Sequence, residues 1–107
     1  MASIVITETA SAEIVDALVN TEKQHGPGQR KDCENLIREA LDDLSMFPGL
    51  GTARPEIHAD ARTFPIARRG HHARHILIYR IAHDGTVEIA RCVHDAMKLE
   101  LMSDWQR

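Results

Sequence analysis

Residues 75–93 read "HILIYRIAHDGTVEIARCV", and the architecture can be built outward from them. His75–Ile81 is an aliphatic, β-branched run that favours an extended backbone, and Thr86–Val93 is a second such run. Between them, His83-Asp84-Gly85-Thr86 carries the Asp-Gly signature of a tight hairpin turn. Two antiparallel strands follow. Side chains alternate along each of them. Ile76, Ile78 and Arg80 share one face of the first strand, and His75, Leu77, Tyr79 and Ile81 share the other. On the second, Val87, Ile89, Arg91 and Val93 oppose Glu88, Ala90, Cys92 and His94. Polar and apolar groups are mixed in both sets, so alternation alone does not say which face meets the rest of the fold.

Upstream, Arg62, Phe64 and Ile66 alternate with Thr63 and Pro65 as a third strand, which Pro65 confines to an edge or bulged position. The loop "FPGLGTARPE", Phe47–Glu56, separates it from the clearest periodic segment of the chain. From about Gln29 to Met46, Cys33, Leu36, Ile37, Ala40, Leu41 and Leu44 recur every three or four residues, the signature of an amphipathic helix. An earlier helix runs to about Glu22 on Ile14, Val15, Leu18 and Val19, with Thr7, Thr9 and Ser11 as N-cap candidates. "HGPG" at His25–Gly28 separates the two helices. Ile4-Val5-Ile6 reads as a first strand. The segment from about 96 to 105 reads as a short C-terminal helix or an unfolded tail. The fold class is therefore α+β: an N-terminal strand, an antiparallel helix hairpin and a three-stranded antiparallel meander, in one domain spanning 1–107.

At 107 residues, with 43% apolar and 27% charged side chains, the composition is that of a globular domain. No apolar run reaches the length needed to span a bilayer, and the N-terminus has no signal-peptide pattern, which points to the cytoplasm. Cys33 and Cys92 read as reduced core residues. The net charge of −3 hides a polarity. Residues 1–53 hold four basic side chains against nine acidic ones, whereas residues 54–92 hold seven arginines against four acids. An all-arginine basic segment suits an acidic partner or a nucleic acid. It equally suits ion pairs with the acidic helices of the same fold.

The densest part of that segment is "ARRGHHARH", Ala67–His75. His71, His72 and His75 offer three imidazoles, but neighbouring histidines rarely converge on one ion, and the flanking arginines repel a dication. No Cys-x-x-Cys or His-Glu-x-x-His pattern occurs, so no metal and no cofactor is expected beyond adventitious zinc or nickel. There is no nucleophile elbow, phosphate-binding glycine loop or dinucleotide fingerprint. Arg62, Arg80, Arg91 and His94 could gather at one end of the sheet. There guanidiniums would stabilise a phosphorane and the imidazole would move protons, as in metal-free RNA cleavage.

Several pieces, in order, resemble the RelE/ParE superfamily of type II toxin–antitoxin toxins. They are Leu44-x-x-Phe47-Pro48, Gly51-x-x-Arg54-Pro55, Arg62-x-Phe64-Pro65, an aliphatic strand closing in Tyr79-Arg80, and Val87-x-Ile89-x-Arg91-x-Val93-His94. The resemblance covers essentially the whole chain. It implies a toxin neutralised by a cognate antitoxin with an acidic, helical C-terminal segment. The ending Arg91-Cys92-Val93-His94 and the scarcity of lysine look more like the ParE branch, which implies inhibition of DNA gyrase without catalysis. The alternative is a RelE-like, ribosome-dependent mRNA endoribonuclease using Arg62, Arg80, Arg91 and His94. A further alternative is a non-toxic interaction module whose arginines are structural. The connection through "ARRGHHARH" is longer and more basic than that branch usually shows. This makes Arg68, Arg69, His71, His72 and Arg74, together with Tyr79, the candidates for a target or partner surface.

Overall fold

The computed structural model describes residues 1–67 and 75–94. Strand β1 (Ile4–Ile6) leads into helix α1 (Glu8–His25) and helix α2 (Pro27–Met46). A 3₁₀ turn (Pro48–Leu50) and a two-residue strand β2 (Thr52–Ala53) follow. Strands β3 (Arg62–Ile66), β4 (His75–Ile81) and β5 (Val87–His94) complete the described chain. The sheet order is β1-β5-β4-β3-β2, antiparallel throughout except for β1, which runs parallel to β5.

The expected α+β class and element order are present, with local corrections. Thr7 is the cap of α1: its hydroxyl accepts from the Ala10 amide at 3.1 Å and donates to the Ala90 carbonyl of β5 at 3.0 Å. One side chain therefore starts the helix and fastens it to the sheet. The break between the helices is narrower than "HGPG" suggested. Gly26 alone makes the turn, at φ 89°, and its amide bonds back to the Glu22 carbonyl. Pro27 opens α2 instead of blocking it, because the first helical position needs no N–H and suits proline's fixed φ.

Within the segment read as a plain loop, Thr52 and Ala53 pair with Thr63 and Arg62, giving the sheet a fifth strand. So β3 is not itself an edge. Pro65 is tolerated because β2 ends before reaching it, leaving that side of the ladder with no donor to lose. Ile66 pairs with His75, so residues 67–74 do connect two antiparallel strands as a hairpin.

The two faces of the sheet, ambiguous in the sequence, are settled by a β-bulge. Opposite Ile78 and Tyr79, the register on β5 passes from Arg91 to Ile89 and leaves Ala90 as the extra residue. Cys92 consequently joins Val87, Ile89, Leu77 and Tyr79 beneath the helices, packed with Ile37, Ala40 and Leu44 of α2. Ala90 and Val93 turn to the opposite face, with Ile78, Ala61, Ile57 and Ile76. Both faces bury apolar side chains. The N-terminus is held separately: the Ala2 amide donates to the Ser45 carbonyl at 2.8 Å, and the Ser45 hydroxyl donates to the Ala2 carbonyl at 2.6 Å.

Candidate functional site

Arg62 and Tyr79 are cross-strand partners and so share a face. Both reach the segment after α2. The Tyr79 hydroxyl donates to the Pro48 carbonyl at 2.6 Å and accepts the Gly51 amide at 2.8 Å. The Arg62 guanidinium donates to the Gly51 carbonyl at 2.9 Å, with a longer contact to that of Gly49 at 3.4 Å. Gly51 is required by the closeness of this approach: a Cβ there would sit 2.6 Å from the Tyr79 ring and 2.8 Å from the Thr63 carbonyl oxygen.

The turn is thus pinned from beneath while its apolar side chains point outward. Met46 is 54%, Phe47 63% and Leu50 50% exposed. Reading "FPGLGTARPE" as a loop did not show this exposed apolar group. Tyr79 itself is fully buried, so it belongs to the core and not to the target surface for which it was a candidate. Burial pushes its hydroxyl pKa up, partly offset by the Gly51 amide and the charge of Arg62.

The other candidates are dispersed. Arg80 follows Tyr79 in the strand and so projects to the opposite face from Arg62. There it meets its cross-strand neighbour Glu88 at 2.8 Å, and this hydrogen bond is the main cause of its raised pKa. Arg91 reaches Glu13 of α1 through two bonds, at 2.9 and 2.7 Å, and the same carboxylate accepts the Cys92 amide at 3.0 Å. His94 is exposed at the far end of β5. Its partner His75 lies four residues along β4 from Tyr79, the partner of Arg62. That separates the His94 and Arg62 rows by about 13 Å of strand. The four residues proposed for RNA cleavage therefore do not converge.

The remaining chemistry is sparse. Burial, with the nearby Glu13 charge, pushes the Cys92 thiol up to about 12, which makes it a poor nucleophile, as its strand position suggested. Neither Cys33 nor Cys92 is in a disulfide. Among the described residues no group of three or more His, Cys, Asp or Glu is placed to hold a metal ion. Also among them, no helix is long and apolar enough to cross a membrane. Arg68, Arg69, His71, His72 and Arg74, and the C-terminal segment read as a helix or tail, lie outside the described residues.

Residues 4–99 match the family described as "ParE toxin of type II toxin-antitoxin system, parDE". Among solved structures, the chain is similar to one titled "Chromosomal ParDE TA system from P. aeruginosa", with a TM-score of 0.71 and 20% identity. The match covers 88% of this chain and 96% of that one, and at this identity it is a likeness of fold. No curated protein matches.

Proposed function

The chain belongs to the ParE toxin family of type II toxin–antitoxin systems, and from that premise we propose that it inhibits DNA gyrase by protein–protein contact. In this reading it acts in the cytoplasm as a single toxin domain, and a cognate antitoxin with an acidic, helical C-terminal segment neutralises it. The observation that carries the choice of gyrase over messenger RNA is the dispersal of the nuclease candidates. Arg80 and Arg91 are bonded to carboxylates, Arg62 is turned towards backbone carbonyls, and His94 stands rows away. Phosphoryl chemistry needs its cations and proton-transfer group around one phosphate. Inhibition by contact makes no such demand. Arg68, Arg69, His71, His72 and Arg74 are retained as contact candidates because of their charge in the sequence.

The test is supercoiling of relaxed plasmid by purified gyrase, with the chain alone and with the product of the neighbouring antitoxin gene. Inhibition that the antitoxin relieves is expected. Unimpaired supercoiling, together with new 5′ ends on cellular mRNA by primer extension, would transfer the chain to the endoribonuclease reading. Normal growth on expression without the antitoxin gene would leave only the non-toxic module.

A further inference from the structure

Helix α2 ends in an exposed apolar group that the proposed function leaves unused. Met46, Phe47 and Leu50 lie within about one turn of chain, and all three are exposed. Their backbone is held from within. The Phe47 amide donates to the Asp43 carbonyl at 2.8 Å, and the Leu50 amide to the Phe47 carbonyl at 3.0 Å. Tyr79 and Arg62 fasten Pro48 and Gly51 to the sheet behind them. The three side chains therefore stand on a fixed frame, which has little backbone freedom left to lose on binding.

The same face of the helix carries unbalanced charge. Glu39, Asp42, Asp43, Met46 and Phe47 follow one another at steps of three and four, so they share one face, and all are exposed. None of the three carboxylates makes an ion pair with a described residue. The last turn of α2 has no basic side chain, although the negative end of the helix dipole favours one there. Arg38, at the start of this stripe, offsets one of the charges, and Arg62 is drawn behind the turn to the Gly51 carbonyl.

We propose that this end of α2 is a docking surface for the toxin's protein target, received in an apolar pocket with lysine or arginine at its rim. The inference rests on the gyrase reading and names where gyrase is touched. Phe47 and Leu50 supply the anchor, since a few large buried side chains carry most of the energy of a contact. Met46 beside them adapts its shape to the pocket. Asp42 and Asp43 choose among occupants. A second copy of this chain would bring the same unpaired carboxylates face to face. The acidic segment expected of the antitoxin meets the same repulsion, as does an anionic lipid surface. A basic rim instead supplies the charge that the helix end lacks. The contact is opposite in sign to the arginines of the β3–β4 connection, which suit an acidic segment.

The experiment measures supercoiling by purified gyrase with the full chain and two variants, and binding of each to the antitoxin from the neighbouring gene. Phe47→Ala/Leu50→Ala should need about tenfold more protein for half-inhibition. Asp42→Lys/Asp43→Lys should weaken inhibition about threefold or more at low salt, the difference closing as salt rises. Both should bind the antitoxin as the unaltered chain does, which also shows that they fold. The lysine variant should melt no lower than the unaltered chain, because it places positive charge at a helix C-terminus. Gyrase left unimpaired by the unaltered chain would sink the gyrase reading and this contact with it. Inhibition by the unaltered chain that either variant retains in full would overturn the contact alone. So would stronger inhibition by the lysine variant, or antitoxin binding lost in Phe47→Ala/Leu50→Ala.

Discussion

Removing one oxygen atom tests how the turn after α2 is held. In Tyr79→Phe the ring stays and the hydroxyl goes, leaving the Pro48 carbonyl and the Gly51 amide without their partner. The two losses are unequal. Pro48 is half-buried, so water can replace the bond there, at a cost of about 0.5–1 kcal/mol. Gly51 is buried, and an orphaned buried amide costs about 1–3 kcal/mol. Together they predict a destabilisation of about 1.5–4 kcal/mol, or on the order of 10 °C in melting temperature for a domain of this size. Urea unfolding of the purified chain should show a lower midpoint at unchanged slope. Tyr79 is the sole tyrosine, so its ionisation can be followed alone in the ultraviolet. Its folded pKa is raised, chiefly by burial, whereas the unfolded chain ionises it near pH 10. This part of the stability is therefore complete below about pH 10 and is lost as pH rises through the folded value. The phenylalanine variant should lose stability less steeply over that range. A midpoint shift under about 0.5 kcal/mol would refute the pinning argument, since one buried unsatisfied amide already exceeds it.

Gly51→Ala forces a methyl against the Tyr79 ring and the Thr63 carbonyl and should cost about 1–3 kcal/mol. Combined with Tyr79→Phe it should prove less than additive in urea melts, because the two changes relieve one another. Glu13→Gln removes a bidentate partner from Arg91, whose side chain is only 15% exposed, and should destabilise by about 1–3 kcal/mol. Arg80→Gln breaks a pair whose side chains are 39% and 32% exposed and should cost under about 1 kcal/mol; equal losses would undo the distinction between the two pairs. Cys92, its thiol pushed up to about 12, should resist an aromatic disulfide reagent at pH 8 in the native chain and react once the chain is unfolded.

Most of the fold was readable because its elements carry strong local signals. The stripe of α2, the Asp-Gly turn and the cap of α1 each depend on a few neighbouring residues: the first two are where the sequence placed them, and the cap is Thr7, one of the three candidates there. The two-residue strand β2 was not readable, since Thr52 and Ala53 extend only because Thr63 and Arg62 lie beside them. The bulge was hidden for a related reason. Strict alternation groups Val93 with Ile89, whereas the extra residue Ala90 sends Cys92 to the helix side and Val93 to the other. The candidate site fared worse than the fold. Arg62, Arg80 and Arg91 looked alike as basic residues on strands, but what each does is set by residues distant in sequence. Glu13 is 78 positions from Arg91, and Gly51 is 11 from Arg62.

That outcome changes what the basic middle of the chain can offer a partner. Seven arginines fall between residues 54 and 92. Arg54, Arg80 and Arg91 pair with Glu56, Glu88 and Glu13, and Arg62 is turned inward to backbone carbonyls. Recruiting any of these four for an outside contact would first break an internal one. Arg91 would leave Glu13 half-buried without its partner, the most costly of the exchanges. Arg68, Arg69 and Arg74 belong to the connection between β3 and β4, where sequence length and composition depart from the rest of the sheet. Within the proposed function, electrostatic engagement of an acidic target therefore falls first on those three. Neutralising them should slow association and flatten its salt dependence.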